Sequence, residues 1–524
     1  MATFAEAWNF ARQALAAGSF ADAEPVYRQM LDAAPQLPDL WHELGLLLFQ
    51  TGQLEAAREC LERARSLAPE TPDYLSNLGA VYRQLKRPVD AADCFGRALA
   101  AGTPTAELHS NLALALKDLG QQDAALAEYD AALTIRADFA NGHFNRANLL
   151  LEMGRLVEAQ TAYRRAIELE PEDSGAWCKL GVAHYDAAEM DAALGCFERA
   201  LELKPDYPEP RRNRAMVWLA QGDYARGWPE AEYRLVCDDF VPFATTEPRW
   251  HGERLAGRTV LLHAEQGLGD TLQFVRYVAL VEKTGATVKL HVQPPLAPLI
   301  RESGFDRWLL KPDESAACDV QCPLMSLPGY VPNASGEPFW GGAYLAADPQ
   351  RVADWAPRIR SLAGYRIGIV WSGNPEHPHN RFRSVALRSF APLARIPDVR
   401  LISLQKGAAR DQLAELSGAF EVADLGPSFD EDGGAFLDTA AVMQHLDLVI
   451  AVDTAVVHLA GGLGVPSWVL LQHSPDWRWK LSGSRTPWYP SLRLFRQPTV
   501  GDWPAVFSQM ANVLQPIVAQ SGGG

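Results

Sequence analysis

"WHELGLLLFQTGQLEAARECLERARSLAP", residues 41–69, decides the fold of the first half of the chain. Small and large apolar residues recur in it at helical spacing, and a proline closes it. The pattern then repeats. Pro35, Pro69, Pro171 and Pro205 fall on one lattice of period 34. Ala57, Ala91, Ala125, Ala159 and Ala193 share the period, as do Ala64, Ala98, Ala132, Ala166 and Ala200. Leu61, Phe95, Tyr129, Tyr163 and Phe197 give it a large residue at a fixed place. The Trp-x-x-Leu-Gly start stands intact at Trp41-Leu44-Gly45 and Trp177-Leu180-Gly181, and lacks only the tryptophan at Leu78-Gly79.

This lattice resembles the tetratricopeptide repeat. Small residues let two antiparallel helices approach, large ones fill the hole in the neighbouring repeat, and proline ends the second helix. Six full repeats are expected over 4–207. A seventh helix pair, roughly 208–234, loses the later consensus at Gly227-Trp228-Pro229 and is expected to cap the array. A TPR superhelix is therefore expected over 1–235.

A second lattice lies on the first helix of several repeats: Asn77, Asn111, Asn145 and Asn213. First helices line the concave face of such a superhelix. An amide both donates and accepts, so a ladder of amides can hold an extended chain without reading its side chains. Protein O-GlcNAc transferases, which this half resembles, use such a ladder on the acceptor polypeptide. Asparagine is also simply common at this position of the repeat, and Glu43 and Lys179 interrupt the series.

The chain has 524 residues and a net charge of −16, with 48% apolar and 21% charged residues. That is a globular, multi-domain composition. The charge argues against a nucleic-acid or anionic-membrane binder, since both need a basic surface. Seven cysteines are scattered, and the close pair Cys318 and Cys322 has no histidine cluster beside it. They are expected to be buried thiols in a reducing compartment. The first residues have neither a basic start nor a long apolar core, unlike a signal peptide. The apolar stretch 454–471 is broken by His458, glycines and Pro466, so no membrane span is expected. A cytoplasmic protein is the expectation.

After about residue 235 the period vanishes, and Pro242, Pro248 and Gly252 mark a linker expected over 236–257. Short β-rich runs then alternate with helical stretches. The candidate strands are Thr259–His263, Thr287–Val292, Arg366–Trp371, Arg400–Leu404, Leu446–Ala451 and Trp468–Leu471. Such alternation predicts doubly wound parallel sheets. A seam rich in Gly, Pro and Ala over 336–364 divides two Rossmann-like lobes, expected at 258–350 and 351–520. Ligands in such sheets bind at the carboxyl ends of the strands.

Three loops follow strands there. "HAEQGLGDTLQF", 263–274, carries Gly267, Gly269 and Asp270 but neither G-x-G-x-x-G nor a Walker lysine. "VWSGNPEHPHNRFRS", 370–384, carries Ser372, Asn374, Arg381 and Arg383. "VDTAVVHLAGGLGVP", 452–466, places Asp453 and Thr454 where either can cap a helix, with His458 one turn inside. A helix start with free N–H groups and a nearby hydroxyl suits a diphosphate.

The 452–466 stretch resembles the D-[ST]-G-x-x-H…P signature of heptosyltransferase-like glycosyltransferases, and "GLGDTLQF" resembles their G-D-x-L motif. The resemblance implies a metal-independent, inverting transferase of the two-lobed GT-B fold. It implies Asp270 as general base, and Thr454, Ala455 and Val456 as donor-diphosphate ligands supported by Asp453 and His458. The sequence departs from the family at Ala455, where glycine is usual. Alanine tolerates a helix start but not a positive φ. Bacterial proteins fusing tetratricopeptide repeats to such a domain look similar throughout, and some of them modify flagellin. The implied activity is transfer of a sugar from a nucleotide-activated donor to a Ser or Thr hydroxyl of a protein held by the repeats. The nucleotide sugar is then a substrate, and no cofactor or metal is expected.

The residues also admit plainer roles. Asp270 serves as base, or it caps the following helix. Arg381 and Arg383 neutralise the leaving diphosphate, or belong to a solvated loop. Gly267, Gly269, Ser372 and Asn374 are supporting candidates. Trp477 or Trp479 stacks on a base or sugar, or is core. Asp430-Glu431-Asp432 imitates a metal motif and reads as a solvated turn. His263, His377 and His379 stay ambiguous, and the terminal Ser-Gly-Gly-Gly reads as a disordered tail. Two other functions compete: a TPR scaffold with a degenerate transferase half, and a nucleotide-sugar epimerase of the same fold.

Overall fold

The computed structural model describes residues 3–265, 267–311, 314–331, 338–340, 342–376, 380–416 and 418–521. The chain divides into two compact units, Met1–Ala183 and His184–Gly524.

The first unit is a solenoid of stacked helix pairs: Phe4–Ala16 with Phe20–Ala33, Pro38–Gln50 with Leu54–Leu67, Pro72–Gln84 with Pro88–Ala101, Ala106–Asp118 with Gln122–Ile135, and Ala140–Glu152 with Leu156–Leu169. The lattice alanines explain the close packing. Ala57, Ala91, Ala125 and Ala159 have no exposed surface. The large residues do something other than expected. Leu61 packs over Gly45 of its own repeat, where a Cβ would stand 2.7 Å from Leu61 Cγ. Phe95 covers Gly79 in the same way, at 2.7 Å. The small residue of the first helix thus makes the hole that the second helix of the same repeat fills.

The structure adds a lattice that the repeat consensus alone did not supply. Gly18, Gly52, Lys86, Gly120, Gly154, Ala188 and Gly222 all have positive φ, again 34 apart. Each ends the first helix of a pair in the left-handed conformation, which lets the chain reverse within a few residues. Lys86 (φ 59°) and Ala188 (φ 61°) adopt it with a Cβ, at a cost of about 1–2 kcal/mol each.

The second unit contains the helices Met190–Leu203, Pro208–Gln221 and Tyr224–Ala231, followed by two parallel sheets. The first sheet has order β2-β1-β3, with β1 Thr259–His263, β2 Thr287–His291 and β3 Val320–Pro323. The second has order β6-β5-β4-β7-β8-β9: β4 Tyr365–Val370, β5 Val399–Ser403, β6 Val422–Asp424, β7 Leu448–Val452, β8 Ser467–Leu471 and β9 Leu492–Arg496. Counted from β4, that order is 3-2-1-4-5-6, the doubly wound arrangement. β3, β6 and β9 were not among the expected strands. β6 spans only three residues, and β3 and β9 are flanked by charged or proline-rich sequence that masks their apolar alternation.

The proline-rich stretch after 235 is packed onto the first sheet. Trp250 N–H donates to Gln321 O (2.9 Å), Trp250 and Leu255 are buried, and Phe243 stacks on His263 at 4.4 Å. One apolar cluster runs through both lobes, joining Leu272, Phe274 and Val275 to Val456, Val457, Trp477, Trp479 and Trp488. No helix among the described residues is long and apolar enough to cross a membrane.

Candidate functional site

In a 3-2-1-4-5-6 sheet the strand order reverses between the first and fourth strands, and the connecting loops diverge to leave a crevice at their carboxyl ends. Here those strands are β4 and β7, so the crevice lies between the segment that follows β4, residues 371–376, and the turn Asp453-Thr454. Both are loops in which the sequence placed donor-binding candidates.

β7 is a fully buried run that ends at Val452, and the helix Ala455–Leu463 starts three residues later with Thr454 as its N-cap. Thr454 is extended (φ −145°, ψ 175°), its side chain makes no capping bond, and its Oγ1 has no hydrogen-bond partner among the described residues. Ala455 does not have a positive φ, so the departure from glycine carries no backbone strain. Burial pushes the Asp453 carboxyl up to about 6, with the Asp476 carboxylate adding to the rise. The Trp479 indole N–H lies close enough to oppose this without completing a hydrogen bond, and the Arg383 and Arg478 charges oppose it too. His458 is buried, accepts or donates at Nδ1 to Tyr489 OH (2.9 Å) and stacks on Trp479 at 5.5 Å. Burial and the Arg478 and Arg276 charges hold it well below the usual imidazole range, so it is neutral.

β1 delivers the other acid. After His263 the chain turns, and the helix Leu268–Phe274 begins with Gly267 as N-cap. Asp270 reaches back to cap it: Gly267 N–H donates to Oδ2 at 3.3 Å. Its Oδ1 accepts from Arg478 Nη2 at 2.5 Å, and the side chain stays 24% exposed. Burial of the rest raises its pKa, the Arg478 guanidinium opposes this, and the Glu265 and Asp476 carboxylates add to the rise. Gly269 lies against His458 and Ala455, which brings the starts of the two helices together.

Arg478 was missed as a site residue because it stood in "DWRWK", a run of aromatics that reads as core. It is buried, and its guanidinium serves four acceptors: Asp270 Oδ1, Gln273 Oε1 (2.6 Å from Nε) and both Asp476 oxygens (3.0 and 3.1 Å from Nη1). Trp477 and Trp479 are both buried core residues, so neither is free to stack on a base or sugar.

The 371–384 loop separates its candidates. Arg383 packs on Gly373, where a Cβ would stand 2.8 Å from Nη2, and its charge acts on Asp453. Its Nε is buried without a hydrogen-bond partner among the described residues. Ser372 N–H donates to Gln405 Oε1 (2.9 Å), and its hydroxyl joins Ser384 and Asn380. Arg381 and Asn374 are exposed: Arg381 lies over Phe382, and Asn374 Oδ1 closes a turn by accepting from Glu376 N–H. Arg383 and Ser372 are thus held within the packed structure, and Arg381 and Asn374 are exposed. His377 and His379 lie outside the described residues, as does the tail from Gly522. Beside the crevice, at the carboxyl ends of β5 and β6, a cavity of about 170 Å³ is lined by Ser403, Gln405, Lys406, Arg410 and Asp424 among others.

Two expectations need correction. Asp430 is not part of a solvated turn. It adopts φ 54° and accepts from Asp438 N–H (2.6 Å), Thr439 N–H (3.1 Å) and the Thr439 hydroxyl, capping the helix Leu437–Met443. Only Glu431 and Asp432 are exposed. Of the cysteines, Cys318 is half-buried rather than buried. His263 resolves to a structural role, bonded through Nε2 to Gln321 Oε1 at 2.8 Å. Among the described residues no cluster of three His, Cys, Asp or Glu could hold a metal ion.

In the solenoid, Asn77, Asn111 and Asn145 are half-buried on successive first helices. Asn77 is engaged by His42 Nε2 at 2.8 Å, whereas Asn111 and Asn145 have no side-chain partner among the described residues. Asn213 is half-buried in the second unit, on the helix Pro208–Gln221.

Models of the tetratricopeptide repeat match residues 14–81, 113–154, 144–208 and 184–242. Protein FlbA of Caulobacter vibrioides is 27% identical over 338 residues, 58% of this chain and 55% of that protein. The chain therefore spans about half the length of this curated relative. Among solved structures, a tetratricopeptide repeat protein of Parabacteroides merdae is 16% identical, with a TM-score of 0.40 over 45% of this chain and 94% of that one. YrrB, described as a TPR protein with an unusual peptide-binding site, is 22% identical, with a TM-score of 0.31 over 35% of this chain and 95% of that one. The chain is a tetratricopeptide-repeat protein with a C-terminal α/β region of parallel sheets.

Proposed function

We propose that the α/β unit is a metal-independent glycosyltransferase, moving a sugar from a nucleotide-activated donor to a Ser or Thr hydroxyl of a protein that the repeats bind. One observation carries the reading. At the switch point of the larger sheet, the start of the Ala455–Leu463 helix meets an acid from the smaller sheet, Asp270, across a glycine contact. An anion site and a base side by side are what displacement at a sugar phosphate requires.

In this reading the donor diphosphate lies over Thr454, Ala455 and Val456. The free N–H groups of the first helical turn, the Thr454 hydroxyl and the Arg383 guanidinium supply positive potential without a metal. The nucleoside fits the cavity beside β5 and β6, next to Lys406 and Arg410. Asp270 Oδ1 is engaged by Arg478, and Oδ2 carries a single long N–H contact, so Oδ2 takes the proton of the acceptor hydroxyl. The acceptor oxygen then bonds to the anomeric carbon as the bond from that carbon to the phosphate oxygen breaks. The electron pair leaves on the nucleotide and the anomeric configuration inverts. His458, neutral and bonded to Tyr489, supports the turn and takes no proton.

The testing experiment is a thermal-shift panel with UDP, ADP, GDP, CMP and TDP on the full chain and on Thr454→Asp. A micromolar binder at millimolar concentration stabilises by roughly 4 kcal/mol, a visible shift. A shift from one nucleotide that disappears in Thr454→Asp supports the reading. Silence from every nucleotide turns the choice toward a scaffold. Incubation with the matching nucleotide sugar alone separates the epimerase, which needs no acceptor to change its substrate.

A further inference from the structure

The base proposed above is a carboxylate that its surroundings disfavour in charged form. Three effects push Asp270 toward its neutral, useless state: burial, the Glu265 carboxylate and the Asp476 carboxylate. Two groups oppose them, the Arg478 guanidinium and the Gly267 N–H. Of these only Arg478 is a full charge, and a guanidinium does not lose its proton at any accessible pH.

The geometry is as telling as the charge. Asp270 and Gln273 are three residues apart on the Leu268–Phe274 helix, hence neighbours on one face. Arg478 comes from the other lobe and takes both: Nη2 to Asp270 Oδ1 at 2.5 Å and Nε to Gln273 Oε1 at 2.6 Å. Its third arm is fixed by both oxygens of Asp476. The guanidinium is also flanked by the Trp477 ring (4.4 Å) and the Phe274 ring (5.6 Å). A planar fork held at all three nitrogens can set the direction of its partner's carboxylate, which a lysine point charge cannot do.

We propose that Arg478 is the positioning residue of the reaction: it crosses from the donor lobe to fix the orientation of Asp270 and keep its carboxylate charged, with Asp476 as the counterweight that sets how strongly it does so. This rests on the reading of Asp270 as the base. The base is then complete only when the two lobes are together, so proton removal is tied to the same interface that holds the donor. The charged and titratable groups around Asp270 are Glu265, itself paired with Arg234 at 2.6 Å, His458 from the Ala455–Leu463 helix, and Asp476 and Arg478 from the segment after β8.

The test follows the Asp270 carboxyl directly, in full-length protein labelled with 13C at the aspartate side-chain carboxyl, its resonance assigned by Asp270→Asn. Arg478→Gln raises the titration midpoint by roughly 1–3 pH units, the usual effect of losing an adjacent cation. Asp476→Asn, which keeps a capping side chain at that position, removes a competing anion and lowers the midpoint by roughly half a unit or more. Opposite shifts from two neighbours in one network are not produced by general loosening. If Arg478→Gln does not fold, Asp476→Asn alone decides. An unmoved midpoint in either folded variant, or an upward shift in Asp476→Asn, overturns the proposal. The base reading fails separately, if Asp270→Ala turns over a nucleotide sugar at the unmodified rate while these midpoints move as expected.

Discussion

Gly269 and His458 meet where the two lobes meet: a Cβ built on Gly269 stands 3.0 Å from the imidazole Cδ2 and 3.3 Å from the Ala455 Cα. Neither neighbour can retreat. The imidazole is bonded to Tyr489 and stacked on Trp479, and the Cα is backbone. Gly269→Ala therefore overpacks the contact at about 1–3 kcal/mol, against a helix-propensity gain of at most about 1 kcal/mol. The melting temperature of the α/β unit should fall by a few degrees, and any nucleotide-induced shift should shrink with it. An unchanged melting curve would show that the helix starts can part freely.

Asp270 carries two structural bonds besides its proposed chemistry, and they give its variants distinct outcomes. Asp270→Asn can still accept from Gly267 N–H but offers Arg478 no charge, so it should fold and lose transfer by several orders of magnitude. Asp270→Ala also loses the cap, at about 1 kcal/mol. Arg478 keeps Asp476, so the cost stays below the roughly 3–5 kcal/mol of an orphaned buried charge. Both should retain the nucleotide-induced thermal shift. A variant that keeps full turnover removes Asp270 from the chemistry.

Lys86 offers a test of the solenoid that touches no site. It occupies the left-handed position held by glycine at residues 18, 52, 120 and 154. Lys86→Gly relieves about 1–2 kcal/mol of backbone strain and gives back up to about 1 kcal/mol in unfolded-chain entropy. The net expectation is a gain of about 0.5–1 kcal/mol, read in chemical denaturation of the repeat unit. A loss would mean that the lysine side chain contributes more than its backbone costs.

What was legible in the sequence follows a physical divide. Periodic features were plain, because each repeat re-states the same packing problem: the alanines at 57, 91, 125 and 159 are fully buried, as the lattice required. The turns after β1, β4 and β7 were legible because glycine, serine and capping residues follow apolar strands there. Contacts between distant segments were not. Nothing local to "DWRWK" tells that Arg478 reaches Asp270, 208 residues away in sequence. Nor does Phe243, in a proline-rich stretch, announce that it stacks on His263. Short strands such as Val422–Asp424 escaped because three residues cannot display an alternation.

The amide ladder makes a graded prediction. Among the described residues Asn111 and Asn145 have free side-chain amides, whereas Asn77 is engaged by His42. If the ladder holds an extended chain, each free amide contributes about 0.5–1.5 kcal/mol, or roughly 2- to 10-fold in affinity. Fluorescence anisotropy with a mixed-sequence Ser/Thr peptide pool should show weaker binding for Asn111→Ala and Asn145→Ala than for Asn77→Ala. The thermal stability of the first two should be unaltered. Equal binding in all three would leave asparagine as a mere habit of the repeat.

Asp453 gives the pH dependence its sign. Its carboxyl is pushed up to about 6 by burial and by Asp476, against an ordinary value of 3.8, with Arg383 and Arg478 opposing. The folded state therefore holds this proton more tightly than the unfolded chain does. The associated stabilisation is complete below pH about 4, where both states are protonated, and is lost as pH rises through about 6. The loss is at most about 3 kcal/mol, since each pH unit between the two values is worth about 1.4 kcal/mol. Asp453→Asn cannot ionise, so it should melt higher than the native chain at pH 7.5 and show a flatter profile between pH 4 and 6. Because the carboxylate stands beside the proposed diphosphate site, the same variant should change nucleotide affinity as well as stability. Parallel melting profiles for the two proteins across that range would place the acid in ordinary solvent and remove the burial penalty assigned to it.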